Sequence, residues 1–189
     1  MSFAFFCKNG ILYFVCRKSI LAKMIVMFSK LENREEIRMK KEDCLFCKIA
    51  NGEIPSTTIY ENNDFRVIFD IAPASKGHAL IIPKQHYNDI FDMDAETGGK
   101  LFSLATAVAR ALKKELNCEG MNIVQNNGLI AGQTVFHFHL HLIPRYAGDT
   151  VNIGWIPGEA NQVELAELAK AVKKAIMRNH LRQQAGRER

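Results

Sequence analysis

Cysteine is scarce in this chain, and it is not arranged as in a disulfide-rich protein. The 189 residues include five cysteines, which are Cys7, Cys16, Cys44, Cys47 and Cys118. A small secreted protein held together by disulfides has a higher density of cysteine and usually an even number. The composition therefore indicates a reducing compartment, and we expect a cytoplasmic protein.

Long apolar runs are also missing. Residues 1–38 contain three apolar stretches, but Lys8, Arg17, Lys18 and Lys23 interrupt them. None reaches the roughly 18 residues of a membrane span, and no clear small-residue cleavage site marks a signal peptide. We therefore expect no membrane partner, with a weak surface anchor as the less favoured alternative. We interpret residues 1–38 as an extension, either a disordered tail or the product of a start site placed upstream of Met39.

A basic face on the folded part of the chain is lacking too. Lys and Arg number 25 against 20 Asp and Glu, but the excess lies at the two ends, in residues 1–43 and 168–189. A nucleic-acid reader would place its basic residues on the folded body, so we expect no nucleic-acid partner. The length suits one compact core, which we assign to residues 39–150, followed by a helical extension at 151–189.

What the chain does contain is a regular series of short strands and helices. The predicted strands span residues 58–61, 65–69, 78–82, 121–125 and 135–145. The predicted helices span residues 43–51, 97–116 and 162–181. Apolar residues recur at three- and four-residue steps in the second helix, so that one stripe packs on a sheet. The pattern predicts an α+β fold, a five-stranded antiparallel sheet with a long helix on one face and a C-terminal helix.

Histidine is clustered rather than scattered. The segment 135–145 reads Val-Phe-His-Phe-His-Leu-His-Leu-Ile-Pro-Arg. In an extended strand, alternate side chains share a face, so His137, His139 and His141 are expected on one face. A single strand histidine is more often an ordinary polar residue, but three together favour catalysis or metal binding.

Cys44 and Cys47 form a second pattern. Two sulfurs one helical turn apart suit tetrahedral zinc if two further ligands come from elsewhere. A redox pair has the same spacing, so the cysteines alone leave both interpretations open.

The chain resembles the histidine triad family of nucleotide hydrolases and transferases. The resemblance rests on the histidine segment between Gly132-Gln-Thr-Val135 and Leu142-Ile-Pro-Arg145. Further blocks match in the family's order over residues 43–145: Asp43-Cys-Leu-Phe-Cys-Lys-Ile49, Gly52-Glu-Ile-Pro55, Phe69-Asp-Ile71, and Gly77-His-Ala-Leu-Ile-Ile-Pro-Lys84 with His86.

The resemblance implies roles for several of these residues. His139 is implied as the nucleophile, with His141 and His78 contacting the phosphate. A neutral imidazole suits attack on an anionic phosphate, because it adds no charge repulsion. Thr134 and Gln133 are implied near the leaving group.

The nucleotide itself is implied to bind a separate set of side chains. The ribose is assigned to Asp70, and the base to an apolar slot of Ile71 and Ile68. Asn126 is implied near the leaving group or ribose. Asp70 could instead cap its own loop, and Asn126 could serve a turn.

The resemblance also implies a metal, a partner and an activity. Relatives that carry the Cys-x-x-Cys pair are zinc proteins, which implies structural zinc on Cys44, Cys47, His86 and His137. A homodimer built from the long helix and a strand is implied as well. We expect hydrolysis of nucleoside phosphoramidates or similar nucleoside monophosphate conjugates of a purine nucleotide, through a nucleotidyl-histidine intermediate. The alternatives are a dinucleoside polyphosphate hydrolase or a binding module with little turnover.

Overall fold

The computed structural model describes residues 7–8, 11–12 and 42–187, with side chains from 42 to 179. The chain divides into two compact units, residues 1–151 and 152–189. Strands β1, Cys7–Lys8, and β2, Ile11–Leu12, form a short antiparallel pair. Apart from these four residues, the predicted extension at 1–38 lies outside the described residues.

A single five-stranded sheet forms the body of the first unit. Its strands are β3, Thr58–Glu61; β4, Phe65–Phe69; β5, Ala79–Pro83; β6, Gly120–Val124; and β7, Leu140–Arg145. They pair antiparallel in the order β3-β4-β5-β7-β6. Helices α1, Leu45–Ala50, and α2, Ala95–Leu116, belong to the same unit. The predicted α+β fold is confirmed.

The two faces of the sheet bury different side chains. On one face, sheet residues such as Val67, Ile81 and Leu142 pack against α2 through Leu101 and Ala105. On the other face, Ala50 of α1 packs against a smaller cluster of Ile68, Leu80 and Ile82. This division follows from the two-residue period of strands. Each large buried apolar side chain contributes about 1.5–3 kcal/mol by leaving water.

The long helix begins and ends at recognisable caps. The Asp94 side chain accepts a hydrogen bond from the Thr97 backbone N–H (2.8 Å), which satisfies a free donor of the first turn. Asn117 follows the last turn with a φ of 51°, the left-handed conformation common at helix ends. The two caps thus define the ends of α2, the helix that packs on the sheet.

The histidine segment departs from the prediction. We expected one strand over 135–145, but β7 begins only at Leu140, so His137 and His139 precede it. The chain bends at residues 135–137, and the Phe138 N–H donates to the Tyr87 carbonyl (2.6 Å) rather than to a neighbouring strand of the sheet. The expectation that all three histidines share one strand face is therefore wrong.

The second unit contains an irregular stretch and helix α3, Gln162–Arg187. Among the described residues, no helix combines the length and apolar character needed to cross a bilayer.

Candidate functional site

Four of the five histidines of the first unit belong to two groups of potential ligands, and His139 belongs to neither. The first group, Cys44, Cys47, His86 and His137, is buried throughout. The second group, Asp70, His78 and His141, is partly open. In each group the ligand atoms lie within 4.8 Å of one another. The strand pattern placed His137 on the same face as His141, but it belongs to the first group, as the resemblance implied.

Distances in the first group match a tetrahedral metal site. His137 Nδ1 lies 3.4 Å from the Sγ atoms of both Cys44 and Cys47, and His86 Nδ1 lies 3.3 Å from Cys47 Sγ. The two Nδ1 atoms are 3.2 Å apart. Zinc bonds of about 2.0–2.3 Å in a tetrahedron place the ligand atoms roughly 3.3–3.8 Å from one another. The observed spacing is therefore close to that of a four-ligand zinc site.

The hydrogen bonds of the two rings show where their lone pairs point. His137 donates from Nε2 to the Pro83 carbonyl (2.9 Å), which leaves the lone pair of the neutral ring on Nδ1. His86 Nε2 lies 3.3 Å from Asn88 Oδ1, and Asn88 presents this oxygen because its Nδ2 donates to Asp92 (2.6 Å). Two ring lone pairs thus face each other without a proton between them. A cation removes that repulsion, so these four residues fit a metal ion.

Burial keeps His137 in the form that binds metal. It is fully buried, and this burial lowers its pKa to about 4. The backbone hydrogen bond to Pro83 opposes that shift, and the neighbouring His86 and His139 add to it. A neutral ring with a free Nδ1 is the state a metal ligand requires.

The second group forms a chain of hydrogen bonds that runs from the Ala74 backbone through His78 to His141 and leaves His141 with an N–H to donate. The Ala74 backbone N–H donates to His78 Nδ1 (3.1 Å), so the neutral His78 carries its proton on Nε2. That Nε2–H points at His141 Nδ1, 2.9 Å away. His141 then carries its own proton on Nε2. The Asp70 carboxylate lies 3.7 Å from His78 Nδ1 at the start of this chain.

Glycine is required immediately before His78. Gly77 has a φ of +83° and lies next to the flexible side chain of Leu116. This left-handed conformation favours glycine. Gly77 therefore lets the chain pass the end of α2 and brings His78 to the start of β5.

His139 lies between the two groups and is oriented by the first. Its Nδ1–H donates to the His137 carbonyl (2.6 Å), so its Nε2 carries the lone pair. The ring centroid of His139 is 4.8 Å from that of His141 and 4.8 Å from that of Phe46, both edge-to-face. A nucleophilic nitrogen therefore lies beside a ring that can donate a proton or a hydrogen bond.

The three histidines of this region favour the neutral state. Burial is the main cause that lowers the pKa of His78, His139 and His141, and His141 reaches about 4. Neighbouring imidazoles lower the pKa of His141 further, while Asp70 opposes the shift at all three rings. A neutral His139 retains the lone pair that a nucleophile needs.

The remaining predicted residues occupy varied environments. Asp70 Oδ1 accepts from the Ala72 N–H (2.9 Å), so this residue does cap its loop, while its other oxygen faces His78. Ile71 is 97% exposed, and Ile68 is 4% exposed in the cluster beneath α1. Thr134 is exposed.

Asn126 and Gln133 lie at the two ends of one loop. Asn126 is half-buried, and its Nδ2 lies 3.6 Å from the position of a Cβ at Gly132. Gln133 is 1% exposed, and its amide bonds only to the protein backbone. Its side-chain amide is thus engaged within the protein, and its implied place near the leaving group stays a prediction.

Sequence reasoning missed two residues of the site. Phe46 was not predicted to be part of the site, yet its ring lies edge-to-face against that of His139. Asn88 was not considered, yet its side chain orients the His86 ring. No sequence signal distinguishes Phe46 from a core residue. The position of Asn88 two residues after a suspected metal ligand is a signal, because metal-bound histidines usually have a hydrogen-bond partner.

Comparisons with known proteins agree with this geometry. The HIT domain family model matches residues 51–148. An uncharacterised HIT-like protein of Methanocaldococcus jannaschii is 42% identical over 130 residues, which cover 69% of this chain and 98% of that protein. Adenosine 5'-monophosphoramidase of Schizosaccharomyces pombe is 35% identical over 134 residues, which cover 70% and 98%. The zinc-bound histidine triad protein of Mycobacterium smegmatis has a similar structure, with a TM-score of 0.56 and 38% identity, covering 68% and 97%.

Proposed function

The chain belongs to the HIT family, and on that basis we propose that it hydrolyses nucleoside phosphoramidates or similar nucleoside monophosphate conjugates. The observation that carries this proposal is the free lone pair on His139 Nε2 beside the proton on His141 Nε2. An S. pombe relative named as an adenosine 5'-monophosphoramidase supports the same substrate class. We expect a purine nucleotide, as in that adenosine compound.

In the first step, His139 Nε2 attacks phosphorus while the bond from phosphorus to the leaving nitrogen breaks. The leaving nitrogen takes the electron pair of that bond and a proton from the solvent, to which the attacking water of the second step returns one, and departs as an amine. The His139 ring, now bonded through Nε2, carries a positive charge that the His137 carbonyl stabilises through Nδ1–H. The Nε2–H of His141 faces the charge that grows on the phosphate oxygens, with His78 behind it.

In the second step, water attacks the phosphorus of the nucleotidyl-histidine. The bond from phosphorus to His139 Nε2 breaks, its electron pair returns to the ring, and the water gives up a proton. The products are the amine, the nucleoside monophosphate and neutral His139, so one water is consumed per turnover. Neutral histidines suit both steps, because they bring no negative charge to an anionic substrate.

Binding of the nucleotide is assigned to the segment before β5 and the loop after β6. Asp70 keeps one carboxylate oxygen toward His78, where it can accept hydrogen bonds from ribose hydroxyls. Ile71, exposed in the free protein, is proposed to cover the base. Asn126 and Thr134 are proposed on the leaving-group side. Ile68 supports this segment from beneath.

We propose that Cys44, Cys47, His86 and His137 hold a structural zinc ion. Zinc there would tie α1, the segment after β5 and the segment before β7 together, since the four ligands come from these three parts. The zinc ion would stabilise the structure and would take no part in the reaction. The zinc-bound M. smegmatis protein supports this assignment.

We also propose a cytoplasmic homodimer. The exposed side chains Phe102 on α2 and Ile123 on the edge strand β6 offer an apolar surface for a second copy. Burying such residues between two copies is the usual reason for a shared interface. Sedimentation of the purified chain tests the dimer directly.

A substrate panel tests the activity. An adenosine phosphoramidate, a diadenosine polyphosphate and a nucleotidyl sugar are incubated with the wild-type protein, and nucleoside monophosphate is measured. We expect the phosphoramidate to give the highest kcat/KM. Preference for the dinucleotide would replace the proposal by its alternative, and binding without turnover of any compound would indicate a nucleotide-binding module.

A further inference from the structure

Asp92 lies between the proposed metal ligand His86 and helix α2, and its carboxylate binds one residue twice. Its Oδ2 accepts from the backbone N–H of Asn88 (3.0 Å) and from the side-chain Nδ2 of Asn88 (2.6 Å). An ionised carboxylate only accepts hydrogen bonds, so the Asn88 amide turns its nitrogen toward Asp92. The oxygen of that amide then faces the other way, toward His86 Nε2 at 3.3 Å.

The orientation of the Asn88 amide determines which nitrogen of His86 carries the ring proton. A neutral imidazole has one N–H and one lone pair. Because Asn88 offers an acceptor to Nε2, the proton of His86 lies on Nε2 and the lone pair on Nδ1. That Nδ1 is 3.2 Å from Nδ1 of His137, whose own proton is held on Nε2 by the Pro83 carbonyl. Two lone pairs therefore meet at this contact.

The contact between the two rings has a second arrangement, in which it is a hydrogen bond. If the Asn88 amide turned over, its Nδ2 would face His86 Nε2, and the ring proton would move to Nδ1. His86 would then donate to His137 Nδ1 across a distance short enough for a hydrogen bond. A metal ion would have to displace that proton. Asp92 disfavours this arrangement, because the turned amide would direct its oxygen at the carboxylate.

We infer that Asp92 is a positioning residue for the metal site: through Asn88 it keeps the lone pair of His86 on Nδ1 and so raises the affinity for zinc. The inference rests on the zinc site proposed above and goes beyond it, since Asp92 is not one of the four ligands. Hydrogen-bond partners of metal-bound histidines contribute about 10–100-fold to metal affinity. Asp92 and Asn88 are exposed, so water partly replaces their bonds, and we expect the lower end of that range.

Zinc affinity of the full chain, measured by competition with a chromophoric chelator, tests the role of Asp92. Asp92→Ala should bind zinc roughly tenfold more weakly than wild type, because the Asn88 amide is then free to turn over. Asp92→Asn should stay within about threefold of wild type, because its amide oxygen can accept the same two hydrogen bonds. The matched control is Asp89→Ala, since Asp89 accepts the Phe91 N–H in the same loop (2.9 Å). The control should bind zinc as wild type does.

A double-substitution cycle tests whether Asp92 acts through Asn88. Asn88→Ala removes the acceptor for His86 Nε2, so it should also weaken zinc binding roughly tenfold. In that background, Asp92→Ala should lower the affinity further by less than about twofold, because the side chain that it holds is already absent. If Asp92→Ala does not fold, Asn88→Ala provides the test of the affinity.

The ring proton of His86 gives a readout that a merely structural role of Asp92 would not change. Proton–nitrogen NMR of the zinc-loaded protein should show His86 protonated on Nε2. Exchange of this N–H with water should be faster in Asp92→Ala, because the Asn88 oxygen no longer stays in place. The Nε2–H of His137, which donates to Pro83, should exchange at the same rate in both proteins.

Four results would overturn the role of Asp92. Two concern affinity: wild-type zinc binding in Asp92→Ala or in Asn88→Ala, and an equal loss in Asp92→Ala and Asp89→Ala. The third is a full tenfold loss from Asp92→Ala in the Asn88→Ala background, which would assign Asp92 to the structure of the loop alone. The fourth is unchanged exchange at His86 Nε2. A wild-type protein that binds no zinc would instead show that the proposed metal site has failed, and the inference with it.

Discussion

The two histidine groups use the same side chain for opposite purposes. In the buried group, both rings direct their Nδ1 lone pairs at each other and at two thiols, an arrangement suited to a cation. In the partly open group, the Ala74 backbone N–H fixes the proton of His78 on Nε2, which faces His141 Nδ1. The proton of His141 is therefore on Nε2, where it can be donated to a ligand. Burial and the position of the ring proton, rather than residue type, therefore distinguish the proposed metal site from the proposed reactive one.

His137 and His139 join the two groups directly. The ring of His137 faces the buried group, while its backbone carbonyl orients His139 toward the open group. Two residues of separation are enough, because the chain bends before β7. Substitution of either histidine therefore tests whether the two groups have separate roles.

The largest expected effect follows from removing the nucleophile. His139→Asn should lower turnover of an adenosine phosphoramidate by at least roughly 10³-fold, because no other group replaces the Nε2 lone pair. Intact-mass measurement after a cold quench at alkaline pH, which preserves a phosphorus–nitrogen bond, should show nucleotide attached to wild type and not to the variant. His180→Asn, far from both groups in sequence, should behave as wild type; persistent turnover in His139→Asn would refute the nucleophile assignment.

Loss of a thiol should act on stability rather than chemistry. Cys47→Ser is expected to abolish stoichiometric zinc binding and to lower the melting temperature by about 10 °C, the change expected for about 3 kcal/mol in a chain of this size. Elemental analysis and calorimetry measure the two effects.

The control for that substitution is Cys118→Ala. Cys118 is also buried but lies outside the metal group, so its variant should keep one zinc per chain. Wild-type protein purified without chelator and with far less than one zinc per chain would contradict the metal assignment.

Asp70→Asn should produce a moderate effect on binding. A charged acceptor for ribose hydroxyls contributes about 1.5–3 kcal/mol, so we expect KM to rise by roughly tenfold or more with a smaller change in kcat. A 2',3'-dideoxy substrate should give the same KM with wild type and variant, since it offers no hydroxyl. A tenfold difference that persists with that substrate would assign Asp70 to the loop alone.

The smallest effect concerns pH. Burial lowers the pKa of His78, and lowers that of His141 to about 4. Lowering the pH therefore protonates these rings only below the ordinary histidine value of about 6.5. We expect kcat/KM to change by less than about twofold between pH 7.5 and 6.5, with its acid limb below pH 6.5. A midpoint at or above 6.5 would show that the pair is not held neutral.

Much of the fold was predictable, because local patterns decide it. Residues 58–61 and 65–69 alternate around an Asn-Asn-Asp turn, and both strands form at the predicted positions. The stripe that includes Leu101, Ala105 and Leu112 does pack on the sheet. Such patterns act within a few residues, so they are visible in the sequence alone.

The details of the site depend on distant contacts instead. The start of β7 was predicted too early, because the bend before it is stabilised by Tyr87, 51 residues away from Phe138 in the chain. The Gln133 side chain bonds to Gly128 and Asn88, which lie 5 and 45 residues away in the chain. No residue type or spacing in one sequence reports such pairings.

The most direct test of the division between the two groups is zinc content measured together with turnover in His137→Asn and His139→Asn. Our account predicts that His139→Asn keeps one zinc per chain and loses turnover, while His137→Asn loses zinc and melts at a lower temperature. If His139→Asn lost zinc, or if His137→Asn retained a full equivalent, the assignment of His137 to the metal group and of His139 to the reaction alone would be wrong.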